Sequence, residues 1–278
     1  MGQMEGKVII VTGSASGLGR AISIYAGKLS AIVVATDINL EGAQETKRQV
    51  DVSGGIGEAL QTDVTDETLV TTMIHDVKKR HGKIDFIFNN AGYAQNGEFQ
   101  DITPEDFKKV IDVNFWGVVY GTRACYPIMI EQGYGTIANV TSLAGLIPGG
   151  LMTAYSSAKY AATGFTLNLR SEAKQYGVHV VAVCPGYLET PMHANADNVS
   201  EYIKSHDKEY RSKKHRYPTA EKVVGNLMRG VFHNRAIVVT PYIHLPFWWL
   251  YRIAPGAVPW AWDIIIRRIK TKEEQKII

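Results

Sequence analysis

The chain has 278 residues, 45% of them apolar and 21% charged, with 26 Gly against 10 Pro. These proportions exclude an intrinsically disordered chain, a collagen and a disulfide scaffold, and the length suits one large α/β domain or two small ones. The formal net charge is +3, all of it matched by the basic residues among 267–278, so the rest is neutral and offers no broad field to nucleic acid.

The first elements alternate two periods. The β-branched run at residues 7–12 predicts a strand, and a glycine-rich turn then leads into a helix at 17–29, apolar at Leu18, Ala21, Ile22, Ile24, Tyr25 and Ala26. A second strand is expected at 31–37, a helix at 39–52, a strand at 59–63, a helix at 66–81 and a strand at 84–89. One long helix is expected over 104–130, followed by a strand at 135–142, a helix at 152–176 and a strand at 178–184 that stops at Pro185-Gly186. After a polar, mixed-charge stretch, Thr219 is expected to cap a helix at 220–232, and residues 236–240 form the last strand. Near-continuous Val/Ile runs separated by helices imply a parallel sheet buried on both faces. Right-handed crossovers then give an α/β, doubly wound sheet of about seven strands in a three-layer sandwich.

Cys125 and Cys184 sit inside apolar runs and are expected to be reduced core residues in a reducing compartment. Met1 to Lys7 carries Glu5 and leads directly into a strand, which does not fit a signal peptide. No apolar run reaches the length of a membrane-spanning helix. A cytoplasmic protein, with peripheral membrane contact left open, is the expectation.

The first turn, Thr12-Gly13-Ser14-Ala15-Ser16-Gly17-Leu18-Gly19, follows a strand and opens a helix, which is the context a dinucleotide fingerprint requires. Glycines let the backbone approach a pyrophosphate, and the helix start offers unpaired N–H groups. Asp37 ends the second strand, where a carboxylate can accept from the adenosine ribose hydroxyls. It would also repel a 2′-phosphate, by roughly 4 kcal/mol per unit charge at ~4 Å and an effective dielectric of ~20. Arg20 is the nearest cation and should point along its helix, so NAD is expected over NADP. A plain glycine turn with Asp37 capping the next helix is the alternative.

Five features in order carry a family resemblance: the glycine turn, Asn89-Asn90-Ala91-Gly92, Asn114, Ser142, and Tyr155-Ser-Ser-Ala-Lys159, with Ser142 preceding Tyr155 by 13 residues. From about Lys7 to Thr240 the chain resembles the short-chain dehydrogenase/reductase family, whose fold is Rossmann-like. The resemblance implies NAD-dependent interconversion of a secondary alcohol and a ketone, with Tyr155 as general acid/base. Ser142 would hold the substrate oxygen, Lys159 would bind the nicotinamide ribose, and Asn114 would interrupt its helix and hold a water that relays protons to Lys159. Tyr155 and Lys159 are four apart on one helix, so an ammonium beside the phenol is expected to lower its pKa by roughly 1–3 units. Asp63 and Val64 resemble an adenine-contacting pair. Asn90, Ala91 and Gly92 would line the cofactor or steady the sheet. Pro185 and Gly186 match a substrate-loop hinge, and Thr190 resembles a carboxamide contact. With Gly13, Ser14, Ser16, Gly17, Leu18, Gly19 and Asp37, these complete the expected cofactor set. The expected substrate set is Ser142, Ala144, Met152, Tyr155, Tyr187 and Met192, flanked by a substrate loop at about 187–218, in which basic residues outnumber acids six to two over 204–216.

Residues 1–240 would form one catalytic domain and 241–278 an aromatic extension. The latter holds Tyr242, Phe247, Trp248, Trp249, Tyr251, Trp260 and Trp262, broken by Pro246, Pro255 and Pro259 and followed by Arg267, Arg268, Lys270 and Lys272. So many aromatics need a cover. A pocket lid or a second subunit comes first, because the family often closes its pocket with C-terminal segments. Peripheral membrane contact through 241–272 is the third option. An aromatic lid favours a lipophilic substrate, and the resemblance implies a homodimer or homotetramer through the helices at 104–130 and 152–176. Two rival functions are a non-catalytic NAD sensor and a nucleotide-sugar epimerase or dehydratase. The intact Ser142, Tyr155 and Lys159 argue against the first. The single residue between Gly17 and Gly19 argues against the second.

Overall fold

In the computed structural model, residues 4–190, 192, 197–198 and 217–277 are described. Seven strands form one parallel sheet: β1 (Val8–Thr12), β2 (Ile32–Asp37), β3 (Ile56–Gln61), β4 (Phe86–Asn89), β6 (Gly135–Val140), β7 (Val178–Pro185) and β9 (Ile237–Thr240). Their order is β3-β2-β1-β4-β6-β7-β9. Two short strands, β5 (Gln95–Asn96) and β8 (Asp197–Asn198), pair beside it. The helices are α1 (Gly17–Gly27), α2 (Leu40–Val52), α3 (Glu67–His81), α4 (Pro104–Ile111), α5 (Gly117–Gln132), α6 (Thr153–Ala173), α7 (Ala220–Phe232), α8 (Leu245–Ile253) and α9 (Ala257–Ile277).

The sheet is apolar on both faces because both are covered. Ile9 and Val11 of β1 pack with Ile22 of α1, Val50 of α2 and Leu227 of α7. Val8 and Ile10 point the other way, onto Ile74 and Val77 of α3 and Cys125 and Met129 of α5. This is the three-layer, Rossmann-like sandwich that the patterning implies. Both cysteines are buried and unpaired, as expected.

Several boundaries differ for local reasons. The third strand runs from Ile56 to Gln61 rather than 59–63, because its pairing with β2 begins at Ile32–Ile56. As an edge strand carrying Gly57 and Glu58, it lacks the apolar run that marks the central strands. Thr219 precedes α7 but its side chain makes no capping bond. Its backbone instead bridges to Glu189, whose N–H donates to the Pro218 carbonyl at 3.1 Å.

The helix that patterning predicts over 104–130 is interrupted by a π-helical turn at Asp112–Trp116, at the Asn114 where the resemblance implies a break. Asn114 explains it. Its Nδ2 donates to the Val110 carbonyl at 2.9 Å, taking the acceptor a regular helix would give to its own backbone N–H.

A buried polar relay ties the layers together. Asn89 of β4 donates to Asn139 of β6 at 2.8 Å, and Asn139 donates to Thr166 of α6 at 3.0 Å. Thr166 lies on the helix that carries Tyr155, so the relay fixes α6 against the carboxyl ends of the strands, where open α/β sheets place their ligands.

Candidate active site

One cavity of about 540 Å³ runs along the carboxyl ends of the strands. At one end its wall is the glycine turn and Asp37. At the other it is Ser142, Tyr155, Lys159 and Trp262.

The glycine turn is held by its neighbours. Asn90 donates from Nδ2 to the carbonyls of Thr12 and Gly13 at 2.9 and 3.1 Å. The Thr12 hydroxyl accepts from the N–H groups of Asn90 and Ala91 at 2.9 and 3.0 Å. Gly13 adopts φ +65°, and a Cβ there would stand 2.6 Å from the Ala91 Cα, so only glycine fits. The helix start is left open. Asn39, Asp66 and Thr103 cap α2, α3 and α4 through their side chains, whereas Ser16 makes no such bond to α1. Ser16, Gly17 and Leu18 line the cavity. Free N–H groups and the positive end of the helix dipole thus face the space a pyrophosphate would take.

Asp37 stands on the rim, pinned by N–H groups of Ala15 and Asn39, both at 2.9 Å. Arg20 does not point along its helix as expected. It folds back, donating to the Ala15 carbonyl, to the Gly42 carbonyl at 3.3 Å and to the Thr46 hydroxyl at 2.9 Å. Its guanidinium is engaged by these carbonyls beneath the rim, where the backbone attracts it more strongly than solvent along the helix would.

At the far end, Ser142 lies just past β6. Its hydroxyl accepts from the Ala144 N–H at 3.1 Å and is 3.5 Å from the Pro185 carbonyl, so it caps a short turn while facing the cavity. Lys159 is 2% exposed and donates to the Val140 carbonyl at 3.0 Å. Its Nζ is 5.7 Å from the centre of the Tyr155 ring.

The expected fall in the phenol's pKa is not what the structure holds. Burial pushes Tyr155 up to about 12, with the Ser142 hydroxyl pulling the other way and Tyr187 adding a small rise. Burial also brings Lys159 down to about 8. Desolvation penalises both charged forms and is the largest cause of each shift. Asn114 is fully buried. Its amide clamps the loop after β4, donating to the Tyr93 carbonyl at 2.8 Å and accepting from the Tyr93 N–H at 3.3 Å.

Of the expected cofactor residues, Gly13, Ser16, Gly17, Leu18, Asp37, Asn90, Gly92, Tyr155, Lys159, Pro185, Gly186 and Thr190 line the cavity. Ser14, Gly19, Asp63, Val64 and Ala91 lie off its wall. The Ser14 hydroxyl turns inward to the Thr36 carbonyl at 3.1 Å. Gly19 packs beneath the turn against Gly13 and Asn90. Asp63 accepts from the Thr65 N–H and hydroxyl at 2.9 and 2.7 Å, and Val64 packs on Gly117.

The expected substrate residues Ser142, Ala144, Met152, Tyr155, Tyr187 and Met192 all line the cavity. Leu143, Ile147 and Leu188 join that wall without having been singled out. Their signal was adjacency to Ser142 and Gly186, since a chain leaving a strand end passes over the site. The central part of the 187–218 loop, with the basic run at 204–216, lies outside the described residues.

The aromatic extension covers part of this end. Leu245 and Trp248 of α8 pack with Leu146, Ala182, Cys184 and Val239. Trp262 of α9 lines the cavity, lying so close to Gly150 that a Cβ there would be 2.6 Å from its ring. No helix among the described residues is long and apolar enough to cross a membrane.

The arrangement has counterparts. A family model described as short chain dehydrogenase matches residues 7–200. The chain belongs to the short-chain dehydrogenase family. The Mycobacterium tuberculosis protein SadH is 33% identical over 241 residues, covering 86% of this chain and 87% of that protein. Levodione reductase of Leifsonia aquatica is 34% identical over 193 residues, 68% of this chain and 72% of its own. A short-chain dehydrogenase from Mycobacterium paratuberculosis, solved bound to NAD, superposes with a TM-score of 0.75 at 26% identity, covering 86% of this chain and 96% of that one. The protein is an oxidoreductase of this family.

Proposed function

We propose that this short-chain dehydrogenase interconverts a lipophilic secondary alcohol and its ketone with NAD. The observation that carries the reading is the pairing of Tyr155 and Lys159, buried on one helix at the floor of a cavity whose opposite end offers an uncapped helix start and Asp37.

The residues present fit a dinucleotide. The N–H groups at Ser16 to Leu18 would receive its pyrophosphate, Asp37 its adenosine ribose, and Lys159, Gly186 and Thr190 its nicotinamide half. Bound there, the cofactor would supply the hydride chemistry that links an alcohol to its ketone. Asp37, with Arg20 turned onto backbone carbonyls, presents a negative rim that favours NAD over NADP.

The chain's own residues handle the proton. Tyr155 carries its proton at neutral pH, because burial holds its pKa near 12, and gives it to the carbonyl oxygen as a ketone is reduced. In the opposite direction the phenolate oxygen takes the hydroxyl proton of the alcohol. Ser142 holds the reacting oxygen. Lys159 supplies positive charge beneath the phenol. Asn114 acts by pinning the loop at Tyr93, since its buried amide is engaged by Tyr93 and by the Val110 carbonyl and does not line the cavity.

Met152, Met192, Ile147 and Trp262 make the substrate end apolar, which suits a lipophilic ligand, and α9 acts as its lid through Trp262. Homo-oligomers would form through α4–α6, where Trp116 is 42% exposed, although α8 occupies part of that surface through a Tyr251–Tyr160 hydrogen bond.

The test is a panel of lipophilic secondary alcohols and ketones, followed by the absorbance of the reduced nicotinamide with NAD and with NADP. Turnover with NAD, lost in Tyr155→Phe while NAD still binds, supports the reading. NAD binding without turnover across the panel would favour a sensor.

A further inference from the structure

The segment after Thr240 has two unlike faces. Inward, Leu245 and Trp248 join the core, and Trp262 lines the cavity. Outward, Ile243, Phe247, Trp249, Leu250 and Ile253 are between 48% and 80% exposed, and Trp260 is 65% exposed. On α8, Phe247 and Leu250 are three residues apart and Trp249 and Ile253 four apart, so these side chains share one broad exposed face, with Ile243 in the turn just before it. A water-facing cluster of large apolar side chains on this scale marks an interaction surface.

Charge decides the kind of partner. Between residues 241 and 272 the sequence holds Arg252, Arg267, Arg268, Lys270 and Lys272 against a single acid, Asp263. Arg252 is exposed and lies 5.7 Å over the Trp248 ring, at the edge of the apolar stripe. By sequence this segment is therefore strongly basic, and pairing two copies of it about a two-fold axis would bring like charges together. Tryptophan flanked by basic residues instead matches the boundary between headgroups and acyl chains. With no helix able to span a bilayer among the described residues, the fitting geometry is a helix lying in the interface plane.

We propose that the outer face of α8 and the start of α9 docks on an anionic lipid surface. Trp262 would then place the cavity wall on the opposite side of the same helical layer, so a lipophilic ligand leaving the bilayer would have a short path inward. The proposal concerns docking alone and does not depend on the reaction proposed above.

The test uses the full chain and a Phe247→Ser/Trp249→Ser/Ile253→Ser variant, which alters only exposed side chains. Both are floated with phosphatidylcholine vesicles and with vesicles of phosphatidylcholine and phosphatidylserine. The unaltered chain should float with the anionic vesicles, more than about tenfold better than with neutral ones, and lose this at high salt. The variant, melting like the unaltered chain, should lose at least about tenfold of the binding. Absence of flotation on anionic vesicles, or equal flotation of the variant, overturns the proposal. So does a mass by light scattering that halves in the variant while neither protein floats, which would assign the face to a second copy. Should the variant melt early, brominated anionic lipid decides with the unaltered chain: quenched tryptophan fluorescence supports docking, and unquenched fluorescence overturns it.

Discussion

At the glycine-turn end of the cavity, polar groups on the wall are tied to backbone: Asn90 to Thr12 and Gly13, Asp37 to Ala15 and Asn39. At the tyrosine end the polar groups are few, and the wall is apolar side chains contributed by segments far apart in the chain, from Leu143 to Trp262. The first end can change little, because each group also holds the turn in shape. The second can exchange side chains without disturbing the sheet, since the side chains of Leu143, Met152, Met192 and Trp262 are apolar and hold neither β6 nor α6 by a hydrogen bond. One end is therefore suited to an invariant ligand and the other to a particular one.

This contrast can be broken at several points. The largest effect is expected from Tyr155→Phe, which removes the proposed proton donor and should lower kcat by about 10²–10⁴ with NAD affinity unchanged. Steady-state rates with a cofactor titration would check it, and a near-normal kcat would dissociate the tyrosine from the chemistry. Next is Asp37→Ser at the rigid end. Removing the charge should shift the ratio of NADP to NAD affinity by about 10²–10³ toward NADP, measured as two dissociation constants.

A pH profile sharpens the same assignment. Because burial places Tyr155 near 12, kcat/KM for alcohol oxidation should climb about tenfold per pH unit across the alkaline range below that value. Ketone reduction needs the protonated phenol and should lack that rise. The same raised pKa has a stability consequence. The folded state holds the phenol's proton more tightly than the unfolded chain, so this contribution is intact below pH ~10 and is lost as the pH rises through about 12.

The smallest effect is expected at Trp262 on the cavity wall. Trp262→Ala should raise KM for the bulkiest alcohol about tenfold while leaving NAD binding and kcat for a small alcohol near normal. Equal losses on both substrates would mean that Trp262 supports the fold rather than the pocket.

The motifs were legible because each depends on a short stretch of chain. The glycine turn needs Gly13 at a positive φ, and Tyr155 and Lys159 need only helical spacing. The π-helical turn at Asn114 left no periodic trace, since an extra residue per turn is created by the side chain's own bond to Val110. Arg20 was misjudged for a similar reason: its partners, Gly42 and Thr46, lie on the next helix.

Sequence alone determined the doubly wound sheet, and it singled out Ser142, Tyr155, Lys159 and the glycine turn, which the fold brings to the wall of one cavity, because strand patterning and fixed spacing act over one or two elements. Tertiary structure decided how acidic the phenol is, which of the aromatic residues after Thr240 face the cavity and which face water, and where Arg20 points. Those properties arise from desolvation and packing between segments a hundred or more residues apart or on separate helices, and no local pattern of residue types carries that information.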